Sequence, residues 1–166
     1  DGFLYVALGD EGGGNDTYAN GQRIDRDLFA GLLRIDVDQR PGSLPPNRNA
    51  ANGWMITTNY AIPADNPFVK NPEACATIWS YGHRNPQGLA FHPVTGQLFD
   101  AEHGPRGGDE LNLVEKGRNY GWPLVTYGKE YSGKTISESP TAPGMESPVH
   151  YWVPSIATSG LLFYTG

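Results

Sequence analysis

The sequence has little cysteine, little basic charge and no long hydrophobic run. Its 166 residues include a single cysteine, Cys75, which excludes an internal disulfide and a zinc site built on paired cysteines. Lys and Arg number 12 against 18 Asp and Glu, for a net charge of −6. Without a basic cluster, we expect no nucleic-acid partner. No apolar run approaches the roughly 20 residues that span a bilayer, so we expect no membrane span.

Glycine, proline and aromatic residues are abundant instead. The chain contains 22 Gly and 14 Pro, and 11% of it is aromatic. Few windows repeat every 3.6 residues, and short apolar runs predict strands. These runs are at about 3–8, 32–37, 76–81, 88–92, 97–101, 110–115 and 159–164. The fold is therefore predicted to be all-β.

Two long segments have little strand character. Residues 38–72 are rich in Pro and Asn, and residues 132–148 are rich in Ser, Pro and Gly. Both are long for loops of a compact domain, so we expect insertions at one loop face. The chain starts with Asp and enters a strand-like run at once, which suggests a piece of a longer protein.

One strand pattern recurs. Residues 1–10 and 95–104 align without gaps, with glycine, leucine, an aromatic residue and alanine at matching places. Residues 159–164 form a weaker third copy. The first two copies start 94 residues apart, or two periods of the roughly 40–50 residues in a propeller blade. A β-propeller and a β-sandwich with coincidental matches both remain open on this pattern.

Residues 128–135 match the nucleotide-binding pattern GxxxxGK[ST] but lack its context. A phosphate-binding loop needs a helix directly after it, so that the main-chain amides meet the phosphates. Pro140 and Pro143 follow instead, and proline disfavours a helix there. We therefore predict no nucleotide binding at this segment.

Three polar clusters are the strongest functional signal. They are residues 81–89 (YGHRNPQGL), 102–110 (EHGPRGGDE) and 119–123 (NYGWP). Arg84 beside Asn85 can bind a carboxylate or quinone oxygen, although composition alone favours a structural salt bridge followed by a turn. Glycine-exposed carbonyls with the carboxylates of Asp109 and Glu110 suit Ca²⁺, and a solvated acidic turn is the alternative. The third cluster is also compatible with a simple aromatic plug.

Two further sets of polar residues bear on chemistry. Asp10 ends the first predicted strand beside glycines, where a carboxylate can orient a catalytic histidine or simply form a turn. The four histidines are scattered, without HExxH spacing, so a histidine-based zinc site is not expected.

In this order, the three clusters resemble the soluble glucose dehydrogenases that depend on pyrroloquinoline quinone, above all the aldose sugar (glucose/sorbosone) dehydrogenases. The resemblance runs from Gly2 to Gly166. It implies a six-bladed β-propeller, periplasmic or secreted, of which residues 1–166 would be a partial domain of about two to three blades. It also implies oxidation of an aldose at C1 to the lactone. Hydride would pass to a quinone polarised by Ca²⁺, with an external acceptor taking the electrons.

The resemblance also assigns individual residues. The cofactor contacts would be Arg84, Asn85, His103 and Tyr131. The carbonyls of Gly104 and Pro105 would hold the cofactor's calcium, and Glu110 and Tyr120 a second calcium ion. Asp10 would orient the catalytic histidine.

Parts of the family's site have no counterpart here. The catalytic histidine belongs before residue 1, further basic residues belong beyond residue 166, and Val153 replaces an aromatic residue. We therefore expect this chain alone to be inactive and to self-associate through open sheet edges. Two alternatives stay open: a cofactor-free propeller that recognises proteins or glycans, and a calcium-dependent lactonase.

Overall fold

The structure is a computed structural model that describes residues 1–46 and 59–166. These residues contain seven β-strands and no α-helix. The strands are β1 (Leu4–Leu8), β2 (Gly31–Ile35), β3 (Ile78–Tyr81), β4 (Pro86–Phe91), β5 (Leu98–Glu102), β6 (Asp109–Val114) and β7 (His150–Trp152). The prediction of an all-β fold is confirmed.

The strands form two antiparallel sheets. The first has the order β1-β2-β3, with Leu4 opposite Ile35 and Leu8 opposite Gly31. The second has the order β4-β5-β6-β7. Within each sheet, every strand therefore pairs with its successor in sequence, as in an up-and-down blade. β1 lies against β4 of the second sheet.

Alternating side chains of the two sheets build the core. Leu32 of the first sheet packs with Leu98 and Val114 of the second, flanked by Tyr5 and Trp79. A further cluster lies under the first sheet and contains Leu28, Leu33, Cys75 and Ile78. Because successive side chains of a strand point to opposite faces, β2 supplies both clusters and fixes the two sheets relative to each other.

Six predicted strands agree with the structure to within two residues, and one is wrong. Residues 159–164 form no strand, so the third copy of the repeat is not a structural repeat. Their main chain passes so close to Gly88 that a Cβ there would lie 2.7 Å from the Leu161 nitrogen. The seventh strand is His150–Trp152 instead, which is too short to leave an alternating pattern in the sequence.

The spacing of the repeat also has a different meaning from the predicted one. Its two copies contain β1 and β5, which lie in successive sheets. The 94 residues between them therefore cover one step from sheet to sheet rather than two. Residues 38–72 lengthen this step, and residues 47–58 of that predicted insertion lie outside the described residues.

The segment that resembles a phosphate-binding loop folds as a turn. Lys129 pairs with Thr135, and the Glu130 amide donates to the Lys134 carbonyl at 2.9 Å. Bends rather than a helix follow it, as the prolines predicted. Across residues 1–46 and 59–166, no helix has the length and apolar character needed to cross a membrane.

Candidate functional site

The first polar cluster joins the two sheets at one end. Gly82 has a positive φ of 79°, and a Cβ there would lie 2.3 Å from the Asn119 Oδ1 atom. Only glycine therefore fits where the 81–89 and 119–123 clusters meet. Two residues on, the Asp10 amide donates to the Arg84 carbonyl at 2.9 Å, which ties the end of β1 to the same loop.

The Arg84 guanidinium connects all three polar clusters. Its Nη1 donates to the carbonyls of His103 (3.1 Å) and Gly104 (2.7 Å), and its Nη2 donates to the Tyr131 hydroxyl at 3.1 Å. The guanidinium lies 5.4 Å from the centre of the Trp122 ring. Among the described residues, the ion pairs do not include Arg84. The salt-bridge interpretation of Arg84 is therefore wrong, and its charge is held by neutral groups.

A cavity of about 300 Å³ opens beside this arginine. It brings three sequence-predicted residues together, Asp10, Arg84 and Asn85. Its other walls are Leu8, Gly9, Glu11, Gly12 and Phe29. The volume is at the lower end of the range for small-molecule sites.

Asp10 is buried and fixed at this cavity. Its Oδ2 accepts from Trp122 Nε1 at 2.9 Å, and its Oδ1 accepts from the Gly12 amide at 3.1 Å. Burial raises the pKa of Asp10, and these two hydrogen bonds oppose the rise. The Gly12 bond is that of a turn-forming Asp, and the Trp122 bond fixes the second carboxylate oxygen in addition.

The glycine-rich loop after β5 is tightly folded. A Cβ on Gly104 would lie 2.2 Å from the Gly107 carbonyl oxygen, so the loop has no room for a side chain there. The Gly104 amide donates to Asp109 Oδ1 at 3.0 Å. The backbone at Gly107 and Gly108 is left-handed, with φ of 78° and 74°, which favours glycine.

Asp109 holds this loop to the chain after β7. Its carboxylate accepts from the Ser155 hydroxyl and from the amides of Ile156 and Ala157, all at 2.7–2.9 Å. Burial alone would raise the pKa of Asp109, but these bonds and the Gly104 amide hold this pKa below its usual range. Asp109 is therefore an internal clamp rather than a free calcium ligand, contrary to the suggestion from the sequence.

His103 lies next to the arginine loop through its backbone. Its amide donates to the Asn85 carbonyl at 3.0 Å, while its ring Nε2 contacts the Thr158 carbonyl. Tyr131 is 64% exposed and covers Arg84 from the solvent side. The four residues assigned to the cofactor thus share one region, with the His103 ring turned towards residue 158.

Glu110 and Tyr120 line a second, very small cavity. It measures about 10 Å³, the size needed for one water molecule or one ion. Burial and the nearby Glu102 carboxylate raise the pKa of Glu110. The Tyr120 hydroxyl accepts from the Glu115 amide at 2.8 Å and donates to the Leu113 carbonyl at 2.6 Å. Both hydrogen bonds of the Tyr120 hydroxyl are therefore made to the main chain of β6 and the turn after it.

A buried charged network lies directly behind the arginine loop. His83 Nδ1 lies 3.2 Å from Asp100 Oδ2 and 3.6 Å from Glu102 Oε1. The ring stacks on Tyr120 at 4.5 Å, and Ser80 Oγ lies 2.9 Å from its Nε2. Burial alone would lower the pKa of His83, but the two carboxylates raise this pKa to about 9. His83 is thus an imidazolium between two carboxylates at neutral pH.

Three residues carry much of this geometry in roles that sequence reasoning did not give them. Trp122 links Asp10 to Arg84, Asp109 clamps the glycine loop, and Glu102 contacts the main chain at Arg84. All three lie inside the polar clusters, which was the available signal. Their partners are distant in sequence, so only the fold identifies the roles.

Known proteins share this arrangement of sequence and fold. The glucose/sorbosone dehydrogenase family model matches residues 36–166. The chain belongs to this family. The aldose sugar dehydrogenase YliI of Escherichia coli K12 is 44% identical over 165 residues, which cover 98% of this chain and 38% of that protein.

Solved structures agree with the family. A crystal structure of glucose dehydrogenase superposes with a TM-score of 0.78 at 41% identity, covering 99% of this chain and 41% of its own. The quinone-bound aldose sugar dehydrogenase of Streptomyces coelicolor superposes with a TM-score of 0.55 at 29% identity, covering 90% of this chain and 32% of its own. The two sheets are thus a fragment of a β-propeller, and the chain spans about two fifths of the length of its better-covered relatives.

Proposed function

We propose that the protein containing this chain is a pyrroloquinoline-quinone-dependent aldose dehydrogenase that oxidises the sugar at C1 to the lactone. The observation that carries this proposal is the Arg84–Asn85 pair at the wall of the 300 Å³ cavity that Asp10 also lines. The family and its sugar dehydrogenase members support an oxidoreductase acting on a sugar. The quinone-bound relative supports the cofactor.

The residues at the cavity fit a planar, carbonyl-rich anion. Among the described residues no carboxylate forms an ion pair with Arg84, so its charge is not neutralised by one. A quinone carrying carboxylates supplies acceptors for such a donor. Arg84 and Asn85 would hold the group, with Tyr131 covering the arginine and His103 at its side. When bound, the quinone supplies the hydride acceptor.

Asp10 would set the orientation of the catalytic histidine. A buried carboxylate that accepts the Nδ1–H of an imidazole leaves Nε2 free to take the proton of the sugar hydroxyl. Trp122 and Gly12 already fix the Asp10 carboxylate, so it is positioned before any imidazole arrives. By the resemblance, that histidine would lie outside the 166 residues, so the proposed activity is that of the whole protein.

Two calcium positions are part of the proposal, and the donors fit them unequally. Glu110 is a buried carboxylate with a raised pKa beside an ion-sized cavity, and a divalent cation would favour its charged form. At the other position, the Gly104 carbonyl already accepts from Arg84, so Ca²⁺ would use its second lone pair together with Pro105. Bound calcium would polarise a quinone carbonyl.

The deciding experiment is a quinone titration of the complete protein with Ca²⁺, followed by visible absorbance and tryptophan fluorescence. Wild-type protein is expected to bind the quinone, and Arg84→Ala to bind it about 10- to 100-fold more weakly, as for loss of a charge-assisted pair. Arg106→Ala is the matched control, because it removes an exposed cation that does not line the cavity. Unchanged affinity in Arg84→Ala would contradict the proposal.

The remaining parts of the proposal have separate tests. A periplasmic or secreted location is checked by cell fractionation, and use of an external electron acceptor by dye reduction with glucose and other aldoses. Self-association through the edge strands of the sheets is checked by light scattering. A wild-type protein that binds Ca²⁺ but no quinone would favour a propeller that serves in binding or as a lactonase.

A further inference from the structure

We infer that Glu102 is a positioning residue for the quinone site: it fixes the backbone of the Arg84–Asn85 pair through main-chain hydrogen bonds. The inference rests on the proposed function, because it assigns the pair to the quinone. It concerns a residue that neither the sequence motifs nor the resemblance assigned, and it names the contact through which that residue acts.

The need for such a residue follows from the local sequence. Pro86 begins β4 and has no N–H, so the ladder to β5 cannot start with a donor there. The amides of Arg84 and Asn85 come directly before it, at a turn where no strand partner takes them. Unpaired amides at a buried position cost free energy unless another acceptor is supplied.

Glu102 supplies that acceptor. Its Oε2 accepts from the Arg84 amide at 2.7 Å and from the Asn85 amide at 3.3 Å. The residue ends β5 opposite Pro86, and it is only 4% exposed. With the Asp10 amide on the Arg84 carbonyl, both main-chain polar groups of Arg84 are held.

The other carboxylate oxygen is fixed from behind. Glu102 Oε1 accepts from Asn112 Nδ2 at 2.9 Å and lies 3.6 Å from His83 Nδ1. Asn112 of β6 and the buried His83 ring therefore prevent the carboxylate from rotating away. Glu102 thus sets the position of the Arg84 guanidinium at the cavity by fixing the Arg84 main chain.

Two substitutions at Glu102 separate the effect of side-chain length from the effect of side-chain charge. Glu102→Asp keeps the charge but withdraws the carboxylate by about 1.5 Å, one carbon–carbon bond, which breaks the bonds to both amides. Glu102→Gln keeps the reach and an acceptor oxygen but removes the charge. Its new NH₂ group takes the place of Oε1, which accepts from Asn112 Nδ2. It can donate to Asn112 Oδ1, which has no partner among the described residues, once the Asn112 side-chain amide turns over.

The test compares these variants in the complete protein, with pyrroloquinoline quinone and Ca²⁺ as the probes. We expect Glu102→Asp to bind the quinone about tenfold more weakly and Glu102→Gln to stay within about threefold of wild type. Hydrogen exchange, measured without the quinone, should rise in the 83–86 segment of Glu102→Asp only. If Glu102→Gln bound the quinone more weakly than Glu102→Asp, the charge of Glu102 would matter more than the position of its carboxylate. That result would overturn the inference.

Asp100→Asn is the matched control for general damage. Asp100 is as buried as Glu102 and contacts the same histidine, but its contacts do not include the Arg84 or Asn85 amides. It should lower the unfolding midpoint while leaving quinone affinity within about twofold of wild type. If Asp100→Asn weakens the quinone as much as Glu102→Asp does, Glu102 is merely structural and the inference fails.

The design distinguishes the two proposals. Failure of the wild-type protein to bind quinone would defeat the proposed function, and this inference with it. Normal binding by wild type with equal binding by Glu102→Asp would defeat this inference alone.

Discussion

Two deeply buried cations among the described residues, Arg34 in the first sheet and His83 against β5 of the second, are paired in different ways. Arg34 on β2 is 4% exposed, and His83 just after β3 is 0% exposed. Arg34 pairs with Asp1 at 2.9 Å and Asp65 at 2.7 Å, whose side chains are 38% and 65% exposed. His83 pairs with two carboxylates that are themselves buried.

The difference lies in where the counter-charges meet water. The Arg34 guanidinium lies 4.3 Å from the Phe3 ring and 5.0 Å from the Trp79 ring, and its carboxylates keep much of their hydration. His83 and its two carboxylates have all lost their hydration, which costs free energy. One of these carboxylates, Glu102, also holds the backbone of Arg84 by accepting from its amide. Fully desolvated charge is thus found next to the candidate site, and partly hydrated charge away from it.

Removing the buried histidine should have the largest effect. In His83→Leu, Asp100 and Glu102 lose their shared cation and face each other without water. We expect a loss of about 3–5 kcal/mol in the free energy of unfolding, measured by urea titration at pH 7. A loss below about 1 kcal/mol would mean that the carboxylates find other partners, and the contrast between the two cations would disappear.

The pH dependence of stability gives an independent check on His83. Its pKa is raised to about 9 in the folded protein, against about 6.5 when unfolded. The folded state therefore holds the proton more tightly, so this contribution is full below pH 6.5 and is lost as the pH rises towards 9. Wild-type stability should fall over that window more steeply than that of His83→Leu.

Removing the first sheet's cation should cost less. Arg34→Met keeps an unbranched apolar stem between the Phe3 and Trp79 rings, and its carboxylate partners return to water. The main loss is the cation–aromatic contact and the hydrogen bond to Asn66 Oδ1, at 3.0 Å. We expect about 2 kcal/mol in the same urea titration. A loss equal to that of His83→Leu would contradict the distinction.

The sequence predicted most of the fold because the strands are local patterns. Six apolar runs mark β1 to β6 to within two residues, since alternation and glycine punctuation act over a few residues. The strand predicted at 159–164 was wrong because the Gly-Leu-aromatic matches there do not show whether a partner strand lies beside them. β7 was missed because its three residues pair through contacts with β6 that local sequence does not encode.

The site was predictable in part for a related reason. The polar clusters identified Arg84 and Asn85, the end of the first predicted strand identified Asp10, and the fold brings these three to one cavity. The supports were not predictable: Trp122 reaches Asp10 across 112 positions, and Glu102 reaches Arg84 across 18. Composition also could not show that Arg84 forms no ion pair within residues 1–46 and 59–166, the observation that supports its proposed binding role.

The exposed partner of Arg34 should have the smallest effect. The hydrogen bond and charge of Arg34 lower the pKa of Asp65, so its contribution is present above pH 4 and is lost as the pH falls through the lowered pKa. Because Asp65 is largely exposed, Asp65→Ala should cost less than about 1 kcal/mol, and less still in 0.5 M salt.

Asp38→Ala is the matched control, since Asp38 is equally exposed but pairs with a cation that is itself 36% exposed. Urea titrations at low and high salt should rank Asp65→Ala slightly above Asp38→Ala. A larger, salt-independent loss for Asp65→Ala would show that the Arg34 pair is as desolvated as the His83 pair, so that burial of charge would no longer mark the candidate site.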